Sequence, residues 1–241
     1  MPKYKRVIIK TSGQSLGKGK KGDGIHQPAV SGFAKRVIEL QQLGIEAGLV
    51  VGGGNLFRGR DSEEAGFLFD KIDADYIGMM ATLFNSLVLR NVIITLGGKA
   101  EVLSAIPVPP VADKFSHQLA LRLLGEGNIV VLAGGTGNPF FSTDTAAALR
   151  AAELKADVLI KATRVDGVFS SDPEIDPKAK KFDHLTYDEV ISKKLQVMDA
   201  EAFAICRSQN IPIAIIDINM PHSLERLIMG ESVGSLILDS K

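Results

Sequence analysis

Residues 129–149 read IVVLAGGTGNPFFSTDTAAAL. The first five are apolar and mostly β-branched, as a strand buried on both faces requires. Gly134, Gly135, Thr136 and Gly137 then bend the chain, Pro139 stiffens the connection, and Thr143 or Asp144 opens an alanine-rich helix. A strand that runs through a glycine bend into a helix start is a βα unit. Its unpaired amides and the positive end of the helix dipole converge on one spot, and such a spot collects anions. A single turn of this kind is also the ordinary connection of an α/β protein, so the surrounding chain must decide.

On both sides of this unit, strand-like and helix-like segments alternate. RVIIKT at 6–11 ends at Ser12-Gly13, and a loop rich in glycine and lysine leads to a helix over 28–43, begun by Pro28 and stopped by Gly44. EAGLVV at 46–51 empties into Gly52-Gly53-Gly54. A helix over 73–90, a strand over 101–106 and a helix over 113–124 capped by Asp113 precede the central unit. After it come a strand over 157–161, a short helix whose Thr186 and Glu189 form a capping box, and a helix over 199–209. A strand over 213–216, a helix over 221–229 opened by Pro221, and a strand over 235–238 that closes the sheet complete the chain. Apolar strands separated by amphipathic helices predict an α/β fold, with one mostly parallel sheet covered on both faces. No linker divides residues 1–241, which read as a single domain.

In such sheets ligands lie at the carboxyl ends of the strands. Four of those ends carry glycine, hydroxyl or lysine: Lys10-Thr11-Ser12-Gly13, Gly52-Gly53-Gly54-Asn55, Gly134 to Gly137, and Lys161-Ala162-Thr163. Together they make one long anion-binding edge, longer than one triphosphate needs.

Two familiar phosphate motifs are imitated but not met. Gly17, Gly19 and Gly22 spell G-x-G-x-x-G, yet they start several residues beyond the strand, the helix waits until Pro28, and the second strand ends without an acidic residue for a ribose. This stretch reads as a mobile, solvated, lysine-bearing loop. GQSLGKG is one residue short of a Walker A loop and has Gly19 where a hydroxyl should meet Mg²⁺, which leaves a P-loop enzyme as the weaker alternative.

The 28 basic and 28 acidic residues balance, which argues against general affinity for nucleic acid. With no signal-peptide core and no segment read as a membrane span, the expected location is the cytoplasm, without a membrane partner. Cys206 reads as a packed helix position, and His26, His117, His184 and His222 show no ligand spacing; no metal site can be assigned. There is no activated nucleophile and no evident general base. Lysines and backbone amides remain, a set suited to phosphoryl transfer onto an acceptor that is already anionic.

KTSGQSLG at 10–17, VVGGGNLFRG at 50–59, GTGNPFFSTDTAAALRA at 135–151 and KATRVDGVFSSDP at 161–173 together resemble the bacterial uridylate kinases of the amino-acid kinase family, and VMDAEAFAICRSQNIPI at 197–213 fits as well. The resemblance spans almost the whole chain. It implies a three-layer αβα sandwich, ATP with Mg²⁺ as donor, UMP as acceptor, and a homohexamer.

The resemblance also implies roles for individual residues. Lys10, Asp144 and Lys161 are the catalytic set, with the two lysines on the transferring phosphoryl group and Asp144 orienting both. ATP falls to Lys10, Ser12, Gly13, Gly54, Arg58, Thr163, Phe169 and Asp172. UMP falls to Gly53, Arg58, Asp75, Thr136, Gly137, Asn138, Pro139, Phe140, Phe141, Ser142 and Thr143, with Arg58 on its phosphate and Asp75 on its ribose. Thr11 and Gln14 stand where bacterial members commonly have Leu and Glu. Ile94, Glu101 and Asn128 fall where the resemblance places His, Arg and Arg of an interface site for GTP, so loss of GTP activation is expected. A non-catalytic nucleotide- or oxyanion-binding protein, and a kinase acting on a carboxylate or carbamate, are the other readings this fold permits.

Overall fold

The computed structural model describes residues 1–19, 22–58, 66, 69–171, 173, 175–176 and 178–239. Its strands are β1 (Arg6–Thr11), β2 (Glu46–Val51), β3 (Ala100–Ser104), β4 (Asp113–Lys114), β5 (Ile129–Ala133), β6 (Val158–Thr163), β7 (Val168–Phe169), β8 (Lys181–Phe182), β9 (His184–Leu185), β10 (Ile213–Asp217) and β11 (Ser235–Ile237). Its helices, numbered in chain order, are α1 (Gln27–Gln42), α2 (Lys71–Thr95), α3 (His117–Gly125), α4 (Thr143–Glu153), α5 (Tyr187–Ser192), α6 (Ala200–Ser208) and α7 (Ser223–Ile228). Nine strands form one sheet in the order β4-β3-β5-β2-β1-β6-β10-β11-β9, parallel except where β11 runs against β10, and β7 and β8 pair as a separate hairpin.

Strand alternation distributes the core. Val7 and Ile9 of β1, Leu49 and Val51 of β2 and Ile160 of β6 face a layer that contains Phe33 of α1, Leu83 and Leu89 of α2, and Leu224 of α7. Ile8, Val50, Leu132 and Leu159 face the opposite layer, with Leu124 of α3, Ala147 and Ala151 of α4, Tyr187 of α5 and Phe203 of α6. The sandwich is therefore αβα. The buried face of α4 is rich in alanine (Ala146, Ala147, Ala148 and Ala151), and these short side chains let the helix sit close to the sheet. Its first turn is thereby held over the ends of the central strands.

Several element boundaries differ from the sequence reading. The cap of α3 is Ser116, whose hydroxyl accepts from the Leu119 amide at 3.3 Å, while Asp113 lies in β4. Phe115 donates its amide to Ser104 at 2.8 Å, which keeps the chain extended until Ser116. Helix α7 begins at Ser223 rather than Pro221, because the turn from Asp217 to Met220 and left-handed His222 delay it. β11 does not close the sheet, since β9 pairs outside it.

Helix α2 extends beyond the predicted 73–90 at both ends, with Asp70 capping the Asp73 amide. Contrary to the sequence reading, its length and mean hydropathy of 1.6 would suffice to cross a membrane. One face packs on the sheet through Leu83, Leu89 and Ile93, while Tyr76, Met80 and Phe84 are exposed.

Candidate active site

Lys10 and Lys161 are register partners on the parallel neighbours β1 and β6. Both side chains reach the first turn of α4, where Asp144 waits in the core. Lys10 Nζ lies 2.6 Å from one carboxylate oxygen of Asp144, and Lys161 Nζ lies 2.8 Å from the other. Lys161 also donates to the Val197 carbonyl at 2.6 Å. Burial pushes the Asp144 carboxyl up, but the charges of Lys10 and Lys161 and their hydrogen bonds outweigh it and hold the group below its ordinary value. With each oxygen engaged by an ammonium, Asp144 is a fixed anion that positions two cations.

The start of α4 is itself anchored. The Ser142 hydroxyl caps it, accepting from the amides of Asp144 at 2.9 Å and Thr145 at 3.2 Å. Asp199 accepts from the hydroxyls of Ser142 and Thr145, the latter at 2.8 Å, and caps α6 through the Ala202 amide. One carboxylate thus ties two helix starts together. The sequence marks Asp199 only as a helix boundary, because its partners lie more than 50 residues away. Cys206 on α6 is fully buried, and burial together with nearby Asp144 and Asp199 pushes its thiol up to about 12, which leaves it unreactive at neutral pH.

Two depressions flank the ion triplet. The first, about 190 Å³, is lined by Gly53, Gly54, Asp75, Phe141, Ser142 and Thr143, together with Gly78, Met79 and Thr82 of α2. Gly53 is pressed against α2: a Cβ there would come within 2.8 Å of Ala81 Cβ and 2.9 Å of the Gly78 carbonyl oxygen. Asp75 accepts from the Phe140 amide at 2.7 Å and pairs with Lys71, so it fixes the 134–143 loop. Phe140 holds a left-handed backbone, φ 72°, while its ring stays exposed. The Gly134 amide donates to Thr82 Oγ1 at 3.0 Å.

The second depression, about 530 Å³, is lined by Lys161, Thr163, Phe169, Ser170, Lys194 and Val197 among others. Its outer wall is the β7–β8 hairpin. Ser235 holds that hairpin to the sheet, accepting from the Val168 amide at 2.7 Å and donating to the Phe182 carbonyl.

Of the residues assigned to UMP, the first cleft gathers Gly53, Asp75, Phe141, Ser142 and Thr143. Thr136, Gly137, Asn138, Pro139 and Phe140 lie in the same loop but outside its lining; Thr136 Oγ1 bonds the amide and carbonyl of Asn138. Arg58 also lies outside that lining, and its Nε donates to the Gly54 carbonyl at 2.7 Å. Gly54, assigned to ATP, lines this first cleft instead. Of the remaining ATP set, Thr163 and Phe169 line the second depression, Ser12 and Gly13 sit at the end of β1, and Asp172 lies outside the described residues. Lys20 and Lys21 of the basic loop are also outside them. The sequence reading does not single out Asn85 and Val197, whose partners Gly52 and Lys161 are distant in the chain, or Lys194, which lines the second depression.

Residues 5–217 match the amino acid kinase family, and the chain belongs to it. Within that family it is similar over nearly its full length to uridylate kinases. It is 43% identical over 237 residues to the uridylate kinase of Bacteroides thetaiotaomicron, covering 98% of this chain and 99% of the relative. It is 45% identical over 235 residues to that of Legionella pneumophila strain Paris, covering 98% and 94%. The crystal structure of UMP kinase from Bacillus anthracis matches with a TM-score of 0.94 at 37% identity, covering 100% of this chain and 98% of that one.

Proposed function

We propose that this protein is an ATP-dependent UMP kinase, with UMP in the smaller cleft and the ATP base and ribose in the larger depression. The observation that carries this reading is the Lys10–Asp144–Lys161 triplet at the junction of the two: Thr143 lines one side, Lys161 lines the other, and Asp144 lies between them. A UMP phosphate oxygen would attack the γ-phosphorus of ATP, forming the new O–P bond as the bond to the β-phosphate oxygen breaks and ADP leaves. The attacking oxygen is already anionic, so no base is needed, and Asp144, with both oxygens on lysines, is not placed to be one. Lys10 and Lys161 would neutralise charge on the transferring group, and the amides at Gly53 and Gly54 would approach it from the β2 end.

Magnesium would enter with the nucleotide. Among the described residues no three metal-ligating side chains gather, a donor set that fits an ion held on phosphate oxygens and water. There it would offset charge on the β- and γ-phosphates. The exposed apolar side chains Tyr76, Met80 and Phe84 on α2 support burial against further copies in a homohexamer, and a cytoplasmic location accords with this role.

The test is a coupled assay of ADP release with UMP, CMP and dTMP in the presence of Mg²⁺. UMP should be strongly preferred. Folded protein that releases no ADP with UMP would sink the proposal.

A further inference from the structure

Two buried asparagines outside the ion triplet face each other between the glycine end of β2 and helix α2. Asn55 is 6% exposed and Asn85 is fully buried. Their side-chain amides pair head to tail, Asn55 Nδ2 donating to Asn85 Oδ1 at 3.1 Å and Asn85 Nδ2 donating to Asn55 Oδ1 at 2.7 Å. Each has a second N–H, and each spends it on a backbone carbonyl: Asn55 on Gly24 at 2.8 Å, Asn85 on Gly52 at 2.7 Å. Every donor of both amides is therefore satisfied. The two outer carbonyls also fix the amide orientations, since turning both amides over would set oxygen against oxygen.

The consequence lies across the peptide plane. In a trans peptide the carbonyl and the following N–H point in opposite directions. Holding the Gly52 carbonyl on the α2 side therefore turns the Gly53 amide away from it. The Gly53 carbonyl is held in turn by the amides of Leu56 at 3.0 Å and Phe57 at 3.1 Å, which fixes the Gly54 amide. Neither amide donates to an acceptor among the described residues. Asn55 further joins the neighbouring loops: its own carbonyl accepts from the Gly24 amide at 2.9 Å, and a Cβ on Gly13 would come within 2.4 Å of its Oδ1. The end of β2, the turn after β1 and the loop before α1 thus converge on one amide pair.

We infer that Asn55 and Asn85 are positioning residues for phosphoryl transfer, aiming the Gly53 and Gly54 amides at the phosphates. This rests on the kinase reading above. The isosteric changes Asn85→Asp and Asn55→Asp keep the volume but replace a donor by an oxygen facing a carbonyl. Each should lower kcat at least tenfold while KM for UMP stays within threefold. Val37→Ala, on the buried face of α1, serves as the stability control, compared at equal distance below each melting temperature; its kcat should stay within twofold of wild type. Hydrogen exchange without substrate gives a readout independent of the reaction: peptides over 50–57 should exchange faster in Asn85→Asp, and those over 129–133 should not. Unchanged exchange over 50–57, or a kcat fall no larger than that of Val37→Ala, would overturn the inference. A wild-type chain inactive on UMP would instead defeat the kinase reading, leaving the exchange result to judge the asparagine pair.

Discussion

The cleft beneath Gly53, Gly54 and Ser142 lies between loops and helix segments that the fold holds from several sides. The Asn55–Asn85 pair fixes its β2 edge, Asp75 fixes its loop, and Asp199 fixes the start of α4. The trough beyond Lys161 shares Thr163 and Ile215 with the main sheet, but much of its remaining wall is the β7–β8 hairpin and the segment after α5. The first region is shaped by segments tied to the sheet and to the helix starts, the second in large part by a small appended hairpin. On the proposed reading, the difference predicts that acceptor and donor recognition can be damaged separately, whereas any change to the triplet between them should affect transfer itself.

The largest effect is expected at that junction. Lys10→Ala or Lys161→Ala removes a preorganised cation and should lower kcat by roughly 100- to 1,000-fold; single-turnover measurement with both substrates saturating checks this. A smaller and divided effect tests the separation of the two regions. Asp75→Ala should raise KM for UMP about tenfold with KM for ATP within twofold, and Phe169→Ala should do the reverse, consistent with about 1.4 kcal/mol of lost binding in each case. If both variants move both constants equally, the two regions are not independent.

The pH dependence of stability is smaller again. Asp144 is held below its ordinary value of 3.8 in the folded protein, so its stabilisation is fully present above that value and is lost as pH falls through the lowered one. The difference in Tm between wild type and Asp144→Asn should therefore hold constant from pH 7 to about 5 and narrow below about 4. The smallest expected effect concerns GTP. Arg90 lies 3.5 Å from Glu101, a residue standing where the resemblance expects a cation, so GTP should change the rate less than twofold. Activation of several-fold would place a GTP site in this chain.

Much of the architecture was legible because strand and helix periods, glycine bends and caps are local signals. β1, β2, β5, β6 and the capping box of α5 follow from a few neighbouring residues each. The misread starts have local causes of another kind: Asp113 and Pro221 are both credible helix openers, but a hydrogen bond from Phe115 to Ser104 and a turn at Asp217 postpone each helix. In the site, Lys10 and Lys161 are marked by their places at strand ends of a parallel sheet, whereas Asp144 reads locally as an ordinary helix cap and takes its role from the family resemblance. Asp199, Asn85 and the Val197 carbonyl did not stand out. Each does its part through a partner more than 30 residues away, and nothing in the local sequence distinguishes it from a cap, a core amide or an ordinary loop carbonyl.

The central claim is that Asp144 organises transfer between two independently built sites. Asp144→Asn keeps the shape and removes the charge that holds both lysines. UMP affinity by calorimetry should remain within about threefold of wild type, while turnover falls by roughly 100-fold or more. Turnover and affinity both close to wild type would reduce Asp144 to part of a helix start and contradict the account.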